Sequence, residues 1–160
     1  MSRHADRSLL NRRRFAGALI GVTAAAALPR IGSVAAAPAK TMRVYKSPKC
    51  GCCARWVDYV RADGWKVEVV NLQDVTSIKK QVGLLPQLAS CHTAIADGYV
   101  LEGHVPLPAI EKLRAERPEV YGIAVPGMPQ DSPGMGGGGI QDVFAFTRDG
   151  RTRLYARVAG

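Results

Sequence analysis

The sequence predicts a single α/β domain over residues 40–160, and three observations carry the prediction. Between two valine-containing apolar runs, residues 50–63 place Cys53, Trp56, Val57 and Val60 at i, i+3, i+4 and i+7, one face of a helix. Asp97-Gly98 and Asp149-Gly150 each stand between apolar runs, a strong short-range hairpin signal. Proline and glycine crowd residues 121–139, which therefore read as an irregular loop.

The elements follow in order. Met42 to Lys46 reads as a buried strand, and Ser47-Pro48-Lys49 turns the chain into the helix. Gly64 ends that helix where a C-cap favours glycine. Trp65 to Leu72 is a second, valine-rich strand. Thr76 to Val82 is a short helix closed by Gly83. Cys91-His92 leads into strand Thr93 to Ala96, which turns at Asp97-Gly98 into strand Tyr99 to Glu102. Leu107 to Arg117 is a helix with Pro108 in its first turn and Pro118 beyond its end. Val143 to Thr147 and Arg151 to Val158 form a last hairpin. A βαβ unit whose helix opens with Cys-x-x-Cys, followed by helix, hairpin and helix, is the order of a thioredoxin-like fold.

The start of the chain reads as an address. Arg12-Arg13-Arg14-Phe15 precedes an uncharged run to Leu28, and Ala35-Ala36-Ala37-Pro38-Ala39 supplies small residues for cleavage after Ala39. The apolar run is shorter than the roughly 20 residues a bilayer span needs. The paired arginines point to a twin-arginine signal over residues 1–39 and hence to a periplasmic protein with no membrane span after cleavage. That segment holds six Lys/Arg and one acid, so +5 of the chain's formal +9 belongs to it. The remainder is scattered, which disfavours a nucleic-acid partner.

The chemistry lies in four short segments. Cys50-Gly51-Cys52-Cys53 gathers three thiols, and Cys91 adds a fourth just before the third strand. Cys50 stands at the helix N-terminus, where free N–H groups and the dipole favour a thiolate. Three crowded cysteines suit neither a structural staple nor a simple attacking-and-resolving pair. Thiolates and thioethers select Cu(I), and imidazole suits copper as well. His104, in Gly103-His104-Val105-Pro106, and Met128 and Met135, in repeated Pro-Gly-Met contexts, are the further candidate ligands. Met128 and Met135 cannot share a helix through Pro129 and Pro133, so they stand on a loop with little core to fill. His92 points away from Cys91 if the strand has already begun. Met42, Trp56 and Trp65 read as core.

Cys50-Gly-Cys-Cys with Trp56, Ser90-Cys-His-Thr, Gly103-His-Val-Pro and Pro126-Gly-Met-Pro through Gly134-Met135 resemble the CopG-type proteins, a former domain-of-unknown-function family of periplasmic metal-binding proteins. The resemblance covers roughly residues 42–158. It implies a thioredoxin-like fold, copper bound by the cysteines, a role in copper resistance and, further, interconversion of Cu(I) and Cu(II). The leading expectation is an exported protein that holds copper as Cu(I), singly or as a cluster, on Cys50, Cys52, Cys53, Cys91, His104, Met128 and Met135. Its partners are then copper ions and other periplasmic copper-handling proteins. Two other readings stay open. One is a thiol–disulfide oxidoreductase in which Cys50 attacks and Cys53 resolves. The other is an iron–sulfur protein on the four cysteines, a reading in which the methionine loop has no place.

Overall fold

A computed structural model describes residues 39–160; the expected signal segment, apart from Ala39, lies outside the described residues. Its strands are β1 (Thr41–Lys46), β2 (Lys66–Asn71), β3 (His92–Ala96), β4 (Tyr99–Glu102), β5 (Gly122–Ala124), β6 (Ile140–Phe146) and β7 (Thr152–Ala159). The helices are α1 (Gly51–Ala62), α2 (Thr76–Gln81) and α3 (Leu107–Glu116), with a 3-10 turn at Pro86–Leu88. All seven strands form one sheet in the order β2-β1-β3-β4-β5-β6-β7. β1 and β2 run parallel and are joined by α1, and β3 lies antiparallel on the other side of β1. β4 pairs antiparallel with β3 through the Asp97-Gly98 turn, in which both residues have positive φ.

The sheet separates two cores. Met42, Val44, Ala94, Ala96 and Leu101 pack with Trp56, Val57 and Val60 of α1 and Ala109, Ile110 and Leu113 of α3. Val100, Ala124 and Phe146 pack with Ile78 of α2, Val82 and Leu88. The helical stripe read from the sequence is the buried face of α1: Cys53, Trp56, Val57 and Val60. Side chains alternate across a strand, so β3 sends His92, Ala94 and Ala96 toward α1, and Thr93 and Ile95 toward α2.

One expectation fails. Residues 121–139 are not loop throughout, because Gly122–Ala124 form β5, parallel to β4 and antiparallel to β6. Three residues are too few to show a period, and all three are buried, so no alternation marks them. Gly122 is required there because a Cβ would collide with the Val100 carbonyl and the Phe146 ring. β5 joins the last hairpin to the rest of the sheet and holds the start of the proline-rich loop beside β4.

Candidate metal centre

α1 begins at the site. Cys50 is its N-cap, in extended conformation, with Sγ 3.4 Å from the Cys53 amide. Cys50 and Cys53 are joined as a disulfide, while Cys52 and Cys91 are free. The Cys50 and Cys52 sulfurs are 3.4 Å apart. Cys91 reaches them from the residue just before β3, and all four sulfurs lie within 4.8 Å of one another.

Two histidines extend the cluster. Gly103 has φ +76°, and a Cβ on it would stand 2.5 Å from the Val125 carbonyl, so only glycine turns the chain there. Its amide donates to the His92 carbonyl at 3.0 Å. The turn brings His104 Nε2 to 3.0 Å from Cys91 Sγ. His104 Nδ1 lies 3.2 Å from Ser132 Oγ. Ser132 gives its own hydrogen to the Pro129 carbonyl at 2.7 Å. The hydroxyl therefore accepts from Nδ1–H, which leaves a lone pair on Nε2 facing Cys91.

His92 does not point away from Cys91. β3 begins at His92, so Cys91 precedes the strand and strand alternation does not separate the pair. The His92 ring lies 4.5 Å from Trp56 and 5.3 Å from His104, centroid to centroid. Its Nδ1 is 3.5 Å from Cys91 Sγ, and its buried Nε2 has no hydrogen-bond partner. Cys91, His92, His104 and Cys53 form a second group of donors within 4.8 Å. Burial holds His92 well below the usual imidazole range, and a proton on it would also be opposed by one on His104 and by the charges of Lys79 and Lys46. Burial also lowers His104, with Arg55 adding to it. Both rings are thus neutral and able to donate to a metal. Burial and the neighbouring Cys52 push the Cys91 thiol up to about 12, so without a cation beside it Cys91 stays protonated.

The proline-rich loop rests on the first turn of α1. Arg55 Nε donates to the Gly134 carbonyl at 2.7 Å. Gly134 has φ +87°, and a Cβ on it would lie 2.7 Å from the Cys52 carbonyl. Ser132, in this loop, is fully buried and lies against His104. Met128 is 54 % exposed. Met135 lines a cavity of about 340 Å³ with Arg55, Tyr59 and the surrounding glycines. Met42 is core, as expected. Ser132 and Arg55 carry no sequence signal as site residues; only the folded loop brings them to the cluster.

The donor set fits a soft metal by its chemistry: four sulfurs and two neutral imidazoles converge where ordinary packing would put hydrocarbon. Fold and cluster together define a small mixed α/β single-sheet domain with a cysteine–histidine centre able to hold a metal ion. Residues 88–135, which contain Cys91, both histidines and the loop as far as Met135, match the family described as "Protein of unknown function, DUF411". A solved structure named "Copper resistance protein copG- Form 1" is 39 % identical, with a TM-score of 0.68 over 75 % of this chain and 98 % of that one. Another, "Copper resistance protein copG- Form 2", is 39 % identical, with a TM-score of 0.68 over 74 % and 97 %. No curated protein sequence matches the chain. The chain belongs to the CopG-type copper-resistance family.

Proposed function

We propose that the protein is an exported copper-binding protein that serves copper resistance by holding Cu(I) on Cys50, Cys52, Cys53 and Cys91, with His104, Met128 and Met135 completing or covering the site. The observation that carries the reading is the approach of all four sulfurs to within 4.8 Å from two separate segments. The names of the solved relatives supply the metal, and soft thiolates supply the preference for Cu(I). Four thiolates require Cys50–Cys53 to be reduced; the disulfide form has two sulfurs fewer to offer. In this reading copper is cargo to be buffered, passed on or cycled between Cu(I) and Cu(II), residues 1–39 are a twin-arginine signal, and the site lies in the periplasm.

The test is metal analysis of the protein reduced and loaded with Cu(I) without oxygen, paired with a thiol count. Two or more coppers per chain, lost with Cys→Ser replacements, are expected. A protein that retains no Cu(I) overturns the reading.

The Cys50–Cys53 disulfide itself favours a second reading, a thiol–disulfide oxidoreductase. Cys52 and Cys91 then have no task. Full disulfide-reductase activity in a Cys52→Ser, Cys91→Ser protein would establish that reading; its loss favours the metal.

A further inference from the structure

One carboxyl group grips both ends of the segment that carries Cys91 and His92. Glu102 ends β4, directly opposite Thr93 of β3. Its side chain is turned toward α2 and is completely buried. Oε1 accepts from the Ser90 amide at 2.6 Å, and Oε2 accepts from Thr93 Oγ1 at 2.6 Å. Ser90 and Thr93 are the residues immediately before and after Cys91-His92. Lys79 of α2 closes the arrangement, donating to Glu102 Oε1 and, at 3.1 Å, to Thr93 Oγ1. The same knot reaches His104. Gly103 follows Glu102 and starts the turn to that histidine, and its amide donates to the His92 carbonyl at 3.0 Å. A Cβ on Gly103 would stand 2.6 Å from Ser90 Oγ, so Ser90 packs directly against the turn.

Stability alone does not call for a carboxyl group here. The α2 face around it is apolar, with Val100, Ala124 and Phe146 packed on Ile78. A buried ion pair gains little net stability over hydrocarbon of the same volume, because both charges lose their water. Hydrocarbon, however, cannot hold a backbone amide and a hydroxyl at fixed points on either side of a pair of donors.

We infer that Glu102, held by Lys79, is a positioning residue: it fixes Cys91, His92 and His104 in place without touching a metal ion itself. It acts through the Ser90 amide, the Thr93 hydroxyl and the Gly103 turn. The inference rests on the copper reading for the ion that those donors serve.

Lys79→Met combined with Glu102→Leu replaces the pair by hydrocarbon. Glu102→Gln keeps an oxygen for the Ser90 amide and sets a carboxamide NH2 beside Thr93 Oγ1. Urea melts establish that each protein is folded. Cu(I) affinity is read on the reduced proteins by competition with a chromogenic chelator. Hydrogen exchange at the Ser90, Cys91 and His92 amides is read by NMR on the metal-free proteins. The double variant should fold, bind Cu(I) at least about tenfold more weakly than wild type, and exchange these amides faster while those of the β6–β7 hairpin keep their rates. Glu102→Gln should restore both readouts toward wild type. Thr93→Val removes one anchor with the ion pair in place; it should show the same two changes in smaller measure, and it decides the matter if the double variant does not fold.

Wild-type Cu(I) affinity in a folded double variant overturns the inference. So does weaker binding with faster exchange in every strand, which marks a general loss of stability, and so does a Thr93→Val protein that matches wild type in both readouts. Absence of Cu(I) binding in the wild type would sink the copper reading. The exchange rates then decide the inference by themselves: a rise confined to residues 90–92 upholds it, and a uniform rise or none overturns it.

Discussion

The two faces of the β3–β4 hairpin handle buried polar groups in opposite ways. Toward α2, Glu102 is fully buried, and each of its oxygens is used. Oε1 accepts from Lys79 and from the Ser90 amide, the latter at 2.6 Å, and Oε2 accepts from Thr93 Oγ1 at 2.6 Å. Lys79 also reaches Thr93 at 3.1 Å. Toward α1, the same two strands and the turn after β4 present His92, His104 and Cys91, with one buried nitrogen unpartnered and the contacts running thiol to imidazole. The first network is closed and has no capacity to spare, which is what a structural polar cluster requires. The second is not closed, since it leaves His92 Nε2 without a partner. The closed network also fixes the position of the open one, because the Ser90 amide held by Glu102 directly precedes Cys91.

Substitutions that break the closed side should act on stability. Lys79→Met leaves the Glu102 carboxylate buried without its cation, and breaking one partner of a buried pair costs about 3–5 kcal/mol. Urea melts of the metal-free protein measure this; a loss below about 1 kcal/mol would show that Lys79 is not held against Glu102 in solution.

A change on the open side should act on metal and spare the fold. Ser132→Ala frees His104 from its fixed tautomer, and loss of such an outer partner costs about 10–100-fold in metal affinity. Competition with a chromogenic Cu(I) chelator reads the affinity, and an unchanged value would mean that Ser132 merely fills space.

The pH dependence separates the faces again. Burial raises the Glu102 pKa above its ordinary value of 4.5, with Lys79 opposing the shift. A carboxyl raised on folding contributes stability that is full below its unfolded value and is lost as pH rises through its folded value. Wild type should therefore lose stability relative to Glu102→Gln as pH climbs from about 4.5, the Gln variant retaining its amide across that window. Parallel denaturant curves for the two proteins at every pH would contradict the raised pKa.

The smallest stability effect belongs to the loop. Met128 is 54 % exposed, so Met128→Ser should shift stability by less than about 0.5 kcal/mol. Combined with Met135→Ser it should still weaken Cu(I) retention; unchanged retention would reduce both residues to loop decoration.

Much of the fold could be read from local pattern. The stripe Cys53, Trp56, Val57 and Val60 is the buried face of α1, and Gly64 follows its end with φ +85°. Asp97-Gly98 is the turn it was expected to be, since a tight hairpin needs positive φ at both positions. β5 was not legible, because three buried residues in a glycine-rich stretch owe their strand state to the neighbours on each side. At the site, donor types could be read and directions could not. Sequence spacing suggested that His92 turns from Cys91, but the side of the sheet on which a thiol just ahead of a strand falls depends on backbone geometry that spacing does not encode.

The sequence by itself determined that three thiols crowd one helix N-terminus, that a fourth precedes a strand, and that soft donors outnumber any structural need for them. Those are properties of residue type and local period, fixed along the chain. Only the tertiary structure decided that Nε2 is the His104 nitrogen that faces Cys91, that Ser132 sets the His104 tautomer, and that Lys79 and Glu102 pair behind the site. Each of those contacts joins segments at least 13 residues apart, and such contacts exist only once the hydrophobic sheet faces have closed and excluded water.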